Sequence, residues 1–440
     1  MSSIISAHGH RAKVTLGQRG AATLAVVMIL FFVMSMVAAY SNRNLIFEQR
    51  TSANQLRSTR ALEAAEAGVE WALTMLNTGR ITDACVASTL ASDTSFRQRY
   101  LDFDSSGNIN PKKRSDGITE LFSTCVYGGA SWTCSCPVDS APVVVAPAGP
   151  DIYPAFLVRF RKACGDSACF LATQPGLVHI DVNGCTVATD DCLKMTAGFA
   201  ATNESRATVH VSAALRNGLA AAPIAAVTTR TGLNFGAASL GVSNDEVSGS
   251  GTTILSGGPV VATGARVIGA PGTPAQKTII ESDAGLAALT ADRMFANTFG
   301  MWRSTFREQP SAVVLTCAPD CKAATLRAKI LLNPGRVFWL NGDLDLDTAG
   351  DIGSLNEPVI LNVTGQVTFS SAATIYGVVY SQAPVWTLSG AGSVVGAVVA
   401  EGSLNGTATT DIVYKKPVLT LLQTRNGSFV RVPGSWRDFE

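Results

Sequence analysis

The chain has 440 residues, long enough for two or three folded units. Its 34 Lys and Arg stand against 33 Asp and Glu, and a net charge of +1 removes any general electrostatic case for nucleic acid or an anionic membrane surface. Charged residues make up only 15% and glycines number 40, which favours short strands and turns over long soluble helices.

Near the start, Ala21 to Tyr40 runs without a charge, a length that spans a bilayer. Arg11, Lys13 and Arg19 precede it, so the positive-inside rule keeps residues 1–20 cytoplasmic and sends everything after Tyr40 across the membrane. Val37-Ala38-Ala39 would suit a signal peptidase, but the apolar run is longer than the core of a cleavable secretory signal. Leu45, Leu56, Leu62, Ala65, Val69, Ala72, Leu73 and Leu76 continue a three-to-four spacing, with no proline from Ala21 to Asn77. One helix of roughly 85 Å is predicted, at about 1.5 Å per residue. Asn77 and Gly79 stop it.

All ten cysteines follow the span, as expected for an exported, disulfide-bonded chain. Cys164 with Cys169, Cys185 with Cys192, and Cys317 with Cys321 are predicted to close small loops, while Cys85, Cys125, Cys134 and Cys136 leave several connectivities open. Zinc-ligand spacing is absent, and His8 and His10 lie in the leader.

From about residue 80 to 220 the pattern alternates. Phe156, Val158 and Phe160 oppose Arg159 and Arg161; Val178, Ile180 and Val182 oppose His179 and Asp181; Val209, Val211, Ala213 and Leu215 oppose Thr208, His210 and Ser212. A disulfide-stapled antiparallel sheet packed on the helix follows. Beyond an Ala-rich connector at residues 218–226 the chain is Gly-rich and repeats with period nineteen. Pro358, Gly377 and Gly396 align, each unit closing on an apolar pair (Ile375-Tyr376, Val394-Val395, Val413-Tyr414), and Trp339-Leu340 begins a degenerate fourth. That pattern predicts a parallel β-solenoid over 227–440. Residues 282–308 interrupt it with one or two short helices packed on the solenoid or capping its end.

Catalytic motifs are missing. No G-x-S-x-G, P-loop or H-E-x-x-H occurs, and outside the leader only His179 and His210 could act as bases, each on the polar side of a strand. The one constellation with metal chemistry is Asp343, Asp345, Asp347 and Asp351, whose alternating carboxylates are candidate calcium ligands on one strand face. Solenoids also host polysaccharide lyases, an analogy of fold alone.

Gly17-Gln18-Arg19-Gly20 directly before the apolar run, and Arg60-Ala61-Leu62-Glu63-Ala64-Ala65-Glu66-Ala67-Gly68 late in the helix, resemble the prepilin-like family, and most closely the PilX-type minor pilins of type IV pili and the GspK-type pseudopilins of secretion systems. The resemblance covers residues 17–77. It implies cleavage after Gly20 by a prepilin peptidase, methylation of the new amino terminus at Ala21, no cofactor, and no catalysis. It implies partnership with other minor and major pilins and a tip adhesin, with the protein passing from the inner membrane into an extracellular pilus. Major subunits carry a glutamate where this chain has Ala25, which points to a minor subunit at or near the tip. The expected fold is α+β: a cleaved leader (1–20), a transmembrane and assembly helix (21–79), a disulfide-bonded β head (80–220) and the solenoid (227–440). A GspK-like pseudopilin, a membrane-tethered β-helical adhesin and a carbohydrate-active enzyme are the alternatives.

Overall fold

A computed structural model describes residues 19–143, 147–148, 153–163, 174–188, 205–407 and 409–438. The chain divides into two compact units, residues 1–59 and 60–440. Helix α1 (Arg19–Leu76) begins in the first, where residues 22–50 are exposed throughout, Leu45 and Leu56 among the exposed apolar side chains.

In the second unit, strands β1 (Phe122–Tyr127), β2 (Trp132–Ser135), β3 (Ala155–Lys162), β4 (Leu177–Cys185) and β5 (Arg206–Asn217) form an antiparallel sheet in the order β2-β1-β3-β4-β5. The two-residue alternation decides its faces: Val178, Ile180, Val182, Val209 and Val211 are buried toward the last turns of α1. Helix α2 (Phe96–Tyr100) starts on a capping box in which the Ser95 side chain accepts from the Gln98 N–H, and the Gln98 side chain accepts from the Ser95 N–H. The cysteines left open by spacing resolve as Cys85–Cys136 and Cys125–Cys134, the latter pair opposite each other on β1 and β2. Cys317 and Cys321 are bonded to each other. Cys185 is buried and disulfide-bonded, while Cys164, Cys169 and Cys192 lie outside the described residues.

The Gly-rich region is a parallel solenoid. Its broadest face is formed by β6 (Ala225–Thr229), β7 (Thr252–Ser256), β8 (Ile279–Ile280), β9 (Ala312–Lys322), β10 (Val337–Asp345), β11 (Val359–Val363), β12 (Ala373–Ser381) and β13 (Ser393–Ala400). The stacking order is not the chain order: it runs β9-β10-β11-β12-β13-β6-β7-β8. The chain thus enters at the middle of the stack, winds outward to β8, crosses to the opposite end at β9, and winds back until β13 pairs with β6. A final strand, β14 (Gly427–Arg431), leaves the solenoid and pairs antiparallel with β5, so a strand that the sequence places in the Gly-rich region extends the head sheet.

The crossing segment holds α3 (Ala291–Phe299) and α4 (Arg303–Glu308). Thr290 caps the first by accepting from the Arg293 N–H, and Gly300 ends it at φ 68°. These helices lie along the side of the stack. Phe295 and Phe299 pack on Tyr380 of β12 at 5.3 and 5.0 Å between ring centroids, and Phe295 also reaches Trp339 of β10 at 6.1 Å. Arg303 pairs with Glu401 at 2.7 Å, and Tyr380 donates to the same carboxylate oxygen at 2.7 Å, closing a buried polar contact under the aromatic layer.

The nineteen-residue period holds at only one step. Gly377 faces Gly396, but Val359 faces Gly377 and Val394 faces Ile412, eighteen residues on in each case. Trp339 faces Asn362 rather than Pro358, so the coil that it begins is longer than the others. Corner loops absorb the differences. At the stacked positions Gly377 of β12 and Gly396 of β13, both at φ 147°, a side chain would run into the carbonyls of Val359 and Gly377 respectively, which restricts those positions to glycine.

By alternation from Trp339 and Tyr380, the row Phe338, Leu361, Val379, Val398, Val227 and Ile254 faces the solenoid interior, and every member is buried. Val379→Asp places an unpaired charge in that row and is expected to cost several kcal/mol, on the order of 3–5. Thermal unfolding unchanged by the substitution would contradict the observed stacking.

Candidate functional site: the last turns of the long helix and their seat

Residues 60–76 of α1 lie on the head sheet with almost no side chain between. Ala61, Ala64, Ala65, Val69 and Ala72 are buried, and Gly68 is buried with them. Gly184 of β4 sits under this strip, where a Cβ would strike the Ala61 carbonyl and the Ala65 N–H; a Cβ on Gly68 would strike Val182 and the Phe156 ring. Gly68 and Gly184 are therefore geometric requirements: helix backbone and strand backbone approach directly at Ala61 and Ala65, and only small residues on the facing sides permit it. Glu63, Glu66 and Glu70 occupy the opposite, exposed face, and Glu70 lies 3.6 Å from Arg431.

The end of this helix is fixed by two polar side chains. Asn77 donates to the Leu73 carbonyl and to the Phe429 carbonyl, both at 2.9 Å, and accepts from the Phe429 N–H at 2.8 Å. Arg97 of α2, only 2% exposed, donates to the carbonyls of Leu76 (2.9 Å), Gly335 (3.1 Å) and Gly427 (3.1 Å) and stacks over Phe429 at 5.2 Å. Burial, and then the neighbouring charge of Arg336, pushes the Arg97 guanidinium down to about 9, so it stays charged at neutral pH. A helix C-terminus favours cations, and Arg97 supplies the one that the last turn of α1 lacks.

The other face of the head sheet carries an ionic cluster. Asp181 is fully buried; it pairs with Arg161, accepts from His210 Nδ1 at 2.7 Å and lies 3.4 Å from Arg159. Burial raises its carboxyl, but hydrogen bonds and charge from Arg161 and His210 outweigh that and hold it below the usual carboxylate range. His179 is fixed between Ser212 Oγ (2.8 Å) and the Ala163 carbonyl (2.9 Å). Both histidines are half-buried and engaged.

Gly20 and Ala21 lie in the first turns of α1. The four aspartates do not converge. Leu344 and Leu346 point inward, leaving Asp343, Asp345 and Asp347 outside, but Asp343 accepts from the Gln366 N–H (2.7 Å), Asp345 pairs with Lys322 (2.7 Å), Asp347 accepts from the Ala323 N–H (3.3 Å), and the Asp351 carbonyl accepts from Arg327 (3.2 Å). Same-face residues on a strand are about 7 Å apart, too far to share one ion at about 2.4 Å unless a loop folds them inward. Among the described residues no group of three His, Cys, Asp or Glu could hold a metal.

The PilX N-terminal family matches residues 19–70. Among solved structures, the competence-associated pilin ComZ from Thermus thermophilus is similar over 87% of this chain and 97% of its own, at 13% identity and a TM-score of 0.22. A score that low establishes no common fold. No curated protein matches.

Gly184→Val is expected to destabilise the protein by about 1–3 kcal/mol, because the added methyls have backbone on the facing side rather than a side chain that can rotate away. Urea unfolding of the variant checks this. Asp181 contributes stability that is present above its unfolded value of about 3.9 and is lost as pH falls through its lower folded value. The Tm gap between wild type and Asp181→Asn should therefore narrow below about pH 4; a gap constant from neutral pH to about pH 2 would exclude the effect.

Proposed function

Residues 19–70 are similar to the PilX N-terminal family, and on that similarity we propose that the chain is a minor pilin that takes part in assembling a type IV pilus at or near the filament tip. The observation that carries this is the helix itself: it is long and apolar enough to cross a membrane, the apolar residues between positions 22 and 50 are uncovered, and the family match ends within the alanine-rich strip that seats on the head. Removal of the basic leader after Gly20 by a prepilin peptidase would free an apolar helix to leave the inner membrane for a bundle of like helices, since lipid tails and neighbouring side chains are comparably apolar. Ala21 would then be the methylated amino terminus.

Ala25 supports the tip position. In a shaft each amino terminus needs an anionic partner in a low-dielectric bundle, and a subunit without the acid leaves a neighbouring amine unpaired. One copy at the end has fewer neighbours to satisfy. The helix and head serve assembly on this reading, and the solenoid is the part available to a tip adhesin or another surface. Nothing in the reading requires turnover or a cofactor.

Mass spectrometry of sheared filaments tests both parts. The expected first residue is N-methylated Ala21, in a protein far less abundant than the major subunit. Intact Met1, or cleavage after Ala39, would sink the pilin reading; parity with the major subunit would sink the tip position.

A further inference from the structure

Where the head meets the solenoid, a cavity of about 160 Å³ opens between α2, the strand Leu101–Phe103, and the loops that precede β10 and β11. Four cationic side chains line it: Arg97, Lys112, Arg336 and Arg425. Asp102 and Glu357 are the acids on the same wall, so the lining carries two more positive charges than negative ones.

The cations are held in a distinctive way. Among the described residues, none of the four has a carboxylate within ion-pair distance; each is bonded to neutral oxygens. Arg97 donates to the carbonyls already described. Lys112 donates to the Gln98 carbonyl at 2.8 Å, Arg336 to Asn333 Oδ1 at 2.9 Å and to the carbonyls of Ser311 and Ala312, and Arg425 to the Phe103 carbonyl at 3.1 Å. Glu357 is occupied by the Gln98 side chain at 2.8 Å. The Arg425 Nε is buried without a partner, and the Lys112 ammonium has donors to spare beyond its one bond. Arg97 is buried and Lys112, Arg336 and Arg425 are half-buried, and charge so placed is ordinarily compensated by opposite charge; here the four line a cavity instead. Leu101 and Phe103 supply apolar wall.

We propose that this cavity is a binding site for a small organic anion, a carboxylate or phosphate ester with a compact body, held by Arg425 and Lys112 and by the field of Arg97 and Arg336. Guanidinium and ammonium donors suit both head groups, and the apolar wall suits the body. Because Arg97 also ties together α1, the loop before β10 and β14, such a ligand would brace the joint of head and solenoid. The depressed affinity of Arg97 for its proton agrees, since an anion beside it would relieve the repulsion from Arg336.

Full-length protein in detergent is titrated calorimetrically with inorganic phosphate and, separately, with sodium hexanoate, each against sodium chloride of equal ionic strength. Saturable binding of at least one probe is expected, weakened about tenfold by Arg425→Met or Lys112→Met, as for loss of one charge-assisted hydrogen bond. Binding of phosphate alone identifies a phosphate ester as the ligand class, and binding of hexanoate alone a carboxylic acid. Lys112 keeps the test decisive if Arg425→Met does not fold. No saturable binding of either probe, binding reproduced by chloride, or affinity unchanged in both variants overturns the site.

Discussion

The rest of the second unit depends on one close approach, the backbone of α1 at Ala61 and Ala65 against the backbone of β4 at Gly184. With no side chains to spread the layers, the helix lies deep enough for Val69, Ala72 and Leu76 to enter the same core as Phe156, Phe160 and Val182. That depth also carries Asn77 to the backbone of β14 and the Leu76 carbonyl to Arg97. A larger residue at Gly184 would lift the helix and strain each of those contacts together, because interiors packed at crystal density have no slack to absorb it.

The second constraint is topological. β5 and β14 are neighbours in the head sheet, and the whole solenoid lies between them in sequence, entered through Gly218 and left through Asn426, whose backbones are hydrogen-bonded at 2.8 Å. A chain that must start and finish at one place cannot wind a stack from end to end without a return. Here it starts at the middle of the stack, and residues 281–311 make the return along the side. That passage needs its own adhesion to the stack, which Phe295, Phe299 and Phe306 supply against Trp339 and Tyr380, with Arg303 and Glu401 beneath.

The two constraints meet at the joint lined by Arg97, Arg336 and Arg425. Arg97 bonds to the end of α1, to the loop before β10 and to the start of β14, so one cation links the helix, the solenoid and the strand that closes the insertion. Ser311 and Ser428, both buried and 2.8 Å apart, add a neutral link between the outer coil and β14. Polar contacts of this kind specify one arrangement of two folded parts, where apolar contact alone would allow sliding.

The sequence by itself determined the local elements. Hydropathy and charge marked the apolar helix; alternation marked the head strands, as at Val209 and Val211; Gly-rich β runs marked the solenoid; and Cys317 and Cys321 lay close enough in sequence to pair. These follow from periodicity and short-range chemistry, which are properties of neighbouring residues. Only the tertiary structure decided that β14 belongs with β5, that the coils stack in a permuted order, and that Cys85 bonds Cys136, since each joins residues far apart in sequence. It also separated the four aspartates, whose spacing looked like a ligand set until a lysine and backbone donors from neighbouring coils were brought against them. Spacing along a strand fixes which face a side chain occupies; what stands opposite that face is fixed by the winding of the chain, which no local pattern encodes.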